Sequence, residues 1–177
     1  SGAFFYACRV MTSTPAPRGG TALALLSMAV GAFGIGMTEF VSMGLLPGIA
    51  GDLLRGLYET RQEDAIAQAG ILISLYALGV VIGAPTIAAF VARFPRNRVM
   101  IGLLLALLLA NGLSVVAPSF ETMAAARFLA GLPHGAYFGM ATVVASELLG
   151  PTRRGPGIAM VMSGLTIANV VGVPGGT

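Results

Sequence analysis

The chain has no lysine and no tryptophan, one cysteine (Cys8) and one histidine (His134). A single cysteine excludes an internal disulfide. A single histidine excludes sites built from paired imidazoles, the His-Glu-x-x-His zinc helix among them. Without lysine there is no phosphate loop of the Gly-x4-Gly-Lys type, and the sequence holds no Gly-x-Ser-x-Gly nucleophile elbow. Charge is scarce too: 10% of the 177 residues are charged, against about 25% in a soluble domain. The net charge of +3 comes from arginines in short runs between apolar segments. That pattern carries topology and not a nucleic-acid surface, so no nucleic-acid partner is expected. No nucleophile–base constellation is visible, and the reading is of a protein that is not an enzyme and takes no cofactor or metal.

What is abundant is apolar sequence, 56% of the residues. The runs are long and do not alternate with polar residues. Barrel strands of about 10 residues with alternation are therefore excluded in favour of helices of about 20. The expected fold is all-α, a polytopic membrane bundle of about five helices. An N-terminal arm, 1–20, precedes a transmembrane domain, 21–177, with spans near 22–46, 69–91, 99–116, 122–149 and 157–177. Met11 reads as a natural start and residues 1–10 as an upstream extension. A signal peptide beginning at Arg18 is the rival reading. Its apolar core should be about 7–15 residues long, whereas this run continues to Leu46. The fifth span is still apolar at Thr177, which suggests a truncated chain.

The arginines orient the bundle. Arg9, Arg18, Arg93, Arg96, Arg98, Arg153 and Arg154 share one side if five helices zigzag. The other side holds Arg55 and Arg61 against Asp52, Glu59, Glu63, Asp64 and Glu121. Short arginine-rich loops stay in the cytoplasm, which puts the N-terminus inside and the polar stretch 51–68 outside.

Small residues recur every four positions within the spans. Gly79 and Gly83 lie in the second, Gly131, Gly135 and Gly139 in the fourth, and Gly164, Ala168, Gly172 and Gly176 in the fifth. Such ridges let helix backbones approach closely in lipid, whether for static packing or for sliding. Pro85, Pro133 and Pro174 fall inside spans, where proline kinks a helix and frees a carbonyl.

The polar residues inside the spans are the candidates for chemistry. Glu39 is the one carboxylate in the apolar run from Thr21 to Leu46, roughly 7 Å outward of the midpoint of the first span. A carboxylate in a membrane interior faces protein or a watery cavity, where it can load and release a proton. The plainer reading is an acid reaching the outer headgroups or locked in an ion pair. Arg127 lies at similar depth in the fourth span, either pairing with Glu39, holding a polar ligand with its fork of donors, or snorkelling outward. His134 is two helical turns deeper on the same face, near the midplane, as a proton-path group or a hydrogen-bonded structural histidine. Asn111, Tyr137 and Asn169 are weaker candidates, more often interhelical hydrogen bonds than ligands.

Three motifs in order carry a resemblance. The segment from Thr38 to Pro47, Thr-Glu-Phe-Val-Ser-Met-Gly-Leu-Leu-Pro, resembles the first helix of the major facilitator superfamily, in its bacterial drug and sugar efflux antiporter branch (the arabinose-efflux-permease-like group). Arg127 to Gly139 is similar to that branch's Arg-x3-Gly-x3-Gly motif, and Ala168 to Gly176 resembles its antiporter motif, with Gly172, Pro174, Gly175 and Gly176 as the matching positions. The family's cytoplasmic loop motif survives as Arg93 and Arg96, with Arg98 adding charge, but Ala88, Ala92 and Pro95 replace a Gly, an Asp and a Gly.

The resemblance implies a twelve-helix fold of two halves with alternating access, of which this is part of the N-terminal half. It implies a multi-pass protein of the bacterial inner membrane. Its partners would be the lipid bilayer, a small-molecule substrate, protons and the missing C-terminal half. The function implied is proton-coupled efflux of a small drug or sugar, with the fragment inactive alone. The alternative is a structural membrane fragment that does not transport.

Overall fold

The computed structural model describes residues 18–91 and 93–175. Most of the arm, Ala92 of the loop motif, Gly176 and Thr177 lie outside them. The described chain is an all-α membrane bundle, without a strand among the described residues. Its helices are α1 (Arg18–Gly44), α2 (Leu46–Leu53), α3 (Arg55–Thr60), α4 (Gln62–Ala69), α5 (Ile71–Val91), α6 (Arg96–Val115), α7 (Phe120–Leu149) and α8 (Arg154–Gly175), with one 3-10 turn at Pro151–Arg153. Five helical stretches are long and apolar enough to cross a membrane: Gly19–Gly44, Gln62–Val91, Arg96–Val115, Phe120–Leu149 and Pro151–Gly175.

Two couples build the bundle. α5 packs along α7 and α1 along α8, each far more extensively than any other pair; α6 adds to α7, and α1 touches α7 only sparsely. The small-residue ridges explain the couples. A Cβ at Gly131 would meet the Tyr76 carbonyl and lie 3.0 Å from Gly79 Cα, so α7 and α5 run backbone to backbone. A Cβ at Gly164 would run into the Ala29 carbonyl of α1. Ala168 of α8 faces Gly36 and Gly172 faces Phe40 in the same way. In lipid, where there is little hydrophobic drive between helices, such close approach supplies the packing energy.

The main core joins the couples in the half of the bundle away from α2. It gathers Leu25, Met28, Ala32 and Ile35 of α1, Leu103 and Leu107 of α6, Tyr137, Met140 and Ala141 of α7 and Val161 of α8. Large apolar side chains also point outward, among them Leu23, Val81, Leu108, Leu109 and Val170. In water such a surface would aggregate; in a bilayer it is the lipid face.

Helix boundaries follow local chemistry. Ser119 caps α7 with a capping box, its hydroxyl accepting from the Thr122 N–H while its own N–H donates to Thr122. Gly150 ends α7 in a conformation with φ of +74°, one a β-carbon would strain. Pro85, Pro133 and Pro174 all lie inside continuous helices.

The polar stretch 51–68 is not an open loop. It folds as the tail of α2 with α3 and most of α4, around a small core of Ala50, Ala65 and Ala69 covered by Leu54, Leu57, Tyr58 and Ile66. Its charges face out while its apolar residues recur at helical spacing.

Candidate functional site

Glu39 on α1 and Arg127 on α7 line one small cavity at the end of the bundle that carries α2. Ser42 of α1 and Tyr76 of α5 complete its polar side; Leu46 and Ile49 of α2, Leu72 and Ile73 of α5, and Met123 of α7 make it otherwise apolar. The Glu39 side chain is 24% exposed although it lies inside a span. The cavity measures about 20 Å³. That admits about one water, far below the roughly 300–1,000 Å³ of a drug-sized site. A cleft of about 430 Å³ adjoins it. The cleft shares Ser42, Ile49, Met123 and Arg127 with the cavity and adds Asp52 and Ser114. Arg127 therefore stands between an inner cavity and an outer cleft.

The polar contacts are specific. Arg127 Nη1 donates to Ser42 Oγ at 3.0 Å, and Ser42 in turn donates to the Thr38 carbonyl at 2.7 Å. Arg127 Nε is sealed from solvent with no hydrogen-bond acceptor among the described residues. A buried donor left unpaired costs about 1–3 kcal/mol. No ion pair joins Arg127 to Glu39 among the described residues. The nearest ring nitrogen to the carboxylate is His134 Nδ1, 3.9 Å from Glu39 Oε2. That same nitrogen is hydrogen-bonded to the Tyr76 hydroxyl at 2.6 Å, and the His134 ring packs against Phe138 with centroids 5.0 Å apart.

The structure thus brings Glu39, Arg127 and His134 into one neighbourhood. It does not bring Asn111 or Tyr137 there. Asn111 Nδ2 donates to the Leu107 carbonyl of its own helix, and its Oδ1 is sealed without a partner among the described residues. Tyr137 is fully buried and donates to the Met28 carbonyl at 3.0 Å, tying α7 to α1. Two groups escape the sequence reading, Ser42 and Tyr76. Ser42 stands three residues after Glu39, one helical turn on. Tyr76 is a lone phenol within an apolar span, the available signal.

At the other end of the bundle Arg96 forms an ion pair with Glu147, tying the start of α6 to the end of α7. Arg93 lies over the Phe90 ring, 5.2 Å from its centroid, and its Nε donates to the Phe90 carbonyl. Arg98 is exposed. In α8, Gly172 packs on Phe40, whereas Pro174 and Gly175 are exposed at the helix end.

The profile of the Major Facilitator Superfamily matches residues 9–177, almost the whole chain. The chain belongs to this superfamily. Among its relatives within it are the inner membrane transport protein YdhP of Escherichia coli (strain K12), 42% identical over 153 residues, and the putative transporter AraJ of the same strain, 38% identical over 153 residues. The chloramphenicol resistance protein of Streptomyces lividans is 34% identical over 155 residues. These alignments cover 86 to 88% of this chain but 36 to 37% of each relative. The chain therefore spans little more than a third of the length of the curated relatives it matches. No solved structure matches it. The resemblance drawn from the three motifs and the all-α membrane fold are both upheld by these findings. As a member of a transporter superfamily with five membrane-crossing helices, the chain is a multi-pass membrane protein.

Proposed function

We propose that this chain is part of a proton-coupled efflux transporter, and that Glu39 is the group whose protonation is exchanged against substrate. The supporting observation is the shared cavity. An acid inside a span lines it beside an arginine whose Nε has no hydrogen-bond acceptor among the described residues. Arg127 binds a polar or anionic group of the substrate, and the apolar wall holds the rest. A small amphipathic drug or a sugar fits that chemistry. Chloramphenicol is the first probe, because one relative's name refers to resistance to it. The substrate opens the cavity from the side of the adjoining cleft.

In this reading the chain aligns with the N-terminal part of a longer protein, and transport needs the remainder as a second body to rock against. The chain alone does not transport. The test uses the longer protein in proteoliposomes with an imposed pH gradient. Chloramphenicol flux is expected to follow the gradient in the native protein and to fall to leak in Glu39→Gln. Gradient-driven flux that survives in Glu39→Gln would remove Glu39 from the coupling role.

The membrane is the bacterial inner membrane, with the N-terminus in the cytoplasm. Arg93, Arg96, Arg98, Arg153 and Arg154 then lie on the cytoplasmic side, and α2 to α4 outside. The single cysteine provides a check. Cys8 is expected to resist an impermeant maleimide in intact cells and to react with it in inside-out vesicles. Labelling in intact cells would reverse the orientation.

A further inference from the structure

We infer that Tyr76 is a positioning residue that fixes the proton of His134 on Nε2 and so keeps the imidazole from clamping Glu39. This rests on the reading of Glu39 as the exchanging acid. The bond between Tyr76 Oη and His134 Nδ1 is the one hydrogen bond that either side chain makes among the described residues. Both side chains are buried. If Nδ1 carried the proton, the phenol would accept, and its own hydrogen would sit buried without an acceptor, at a desolvation cost. If Nδ1 is bare, the phenol donates to it and both groups are satisfied. Nε2 then holds the proton, and it is not among the sealed, partnerless atoms.

The consequence falls on Glu39. Its Oε2 is 3.9 Å from the same Nδ1, beyond hydrogen-bond reach, so an Nδ1–H would set a donor beside the carboxylate, free to turn to it once the phenol is gone. With Tyr76 holding Nδ1 as an acceptor, that donor does not exist, and Glu39 is left to protons and ligand arriving through the cavity. The groups facing His134 are few. α1 presents Glu39, α5 presents Tyr76, and on α7 itself Arg127 stands two turns away with its fork turned to Ser42. α6 and α8 present no titratable side chain to it among the described residues.

His134 is the sole histidine of the chain, so imidazole nitrogen signals are unambiguous. The experiment is nitrogen-15 NMR of the 177-residue chain, labelled at histidine and purified in detergent at neutral pH. The native chain is expected to show one neutral ring, protonated on Nε2 with a hydrogen-bonded, unprotonated Nδ1. Tyr76→Phe keeps the ring and removes only the hydroxyl. It is expected to move the proton to Nδ1, toward Glu39, with loss of most of the Nε2–H population. The double variant Tyr76→Phe with Glu39→Leu, which removes that acceptor, is expected to reverse the move. A native ring protonated on Nδ1, or a doubly protonated one, overturns the assignment even if no variant folds. An unchanged tautomer in Tyr76→Phe overturns it as well. None of these spectra depends on transport, so their failure and a failure of flux in the longer protein are separate results.

Discussion

Replacing Gly83 with leucine is expected to abolish the native bundle. A Cβ there would meet the carbonyl oxygen of Leu132 and lie 2.5 Å from its Cα, and neither atom is the end of a flexible side chain that can swing aside. α5 and α7 would have to separate along the couple that carries the most extensive packing in the molecule. Overpacking costs typically about 1–3 kcal/mol and occasionally more, and rigid backbone on the receiving side puts this case at or above about 3 kcal/mol. Gly102 is the control. It lies in α6 with nothing within 4 Å of an added Cβ and faces lipid, so Gly102→Leu should be silent. Monodispersity on size exclusion and thermal unfolding by circular dichroism read both. A well-folded Gly83→Leu protein would mean that the couple is looser than the structure has it.

Arg127→Met is expected to separate stability from function. A structural arginine, once removed, should weaken the fold. Here Nε is buried without an acceptor among the described residues, and its removal relieves about 1–3 kcal/mol of unmet desolvation against the loss of one bond from Nη1. Ser42 keeps its bond to the Thr38 carbonyl, so no new orphan is created. The apolar variant should therefore unfold at the same temperature as the native chain or higher, as when apolar groups replace buried ions. In the longer protein the same change should weaken chloramphenicol binding at least about tenfold, equivalent to about 1.4 kcal/mol. A clear loss of thermal stability would mark Arg127 as a structural residue.

Much of this architecture is legible from residue order alone. Membrane helices must satisfy their backbone internally, so a long apolar run leaves few alternatives. The expected spans near 22–46 and 122–149 stand against α1 at Arg18–Gly44 and α7 at Phe120–Leu149. The cavity neighbours are less legible. Glu39 and Arg127 stand out as charges among apolar residues, yet their contacts do not follow from that: Arg127 bonds Ser42 and not Glu39. The rotation of α5 against α7 is fixed separately, by backbone contact at Gly79 and Gly131. The same rotation brings Tyr76 to His134, a pairing 58 positions apart in the chain. The segment 51–68 reads as a loop because its charges dominate its composition. Its helices depend on the spacing of Leu54, Leu57, Tyr58 and Ile66 around three alanines.

The coupling of α1 with α8 bears on biogenesis. Among the described helices, the one that carries Glu39 leaves the ribosome before the rest, and the one that seals its Gly36 face comes last. Until then α1 must rest in the translocon or the bilayer with an acid and a bare glycine seam uncovered. A chaperone or insertase that shelters nascent α1 would thus act on this protein during a window set by the length of sequence between the two mates.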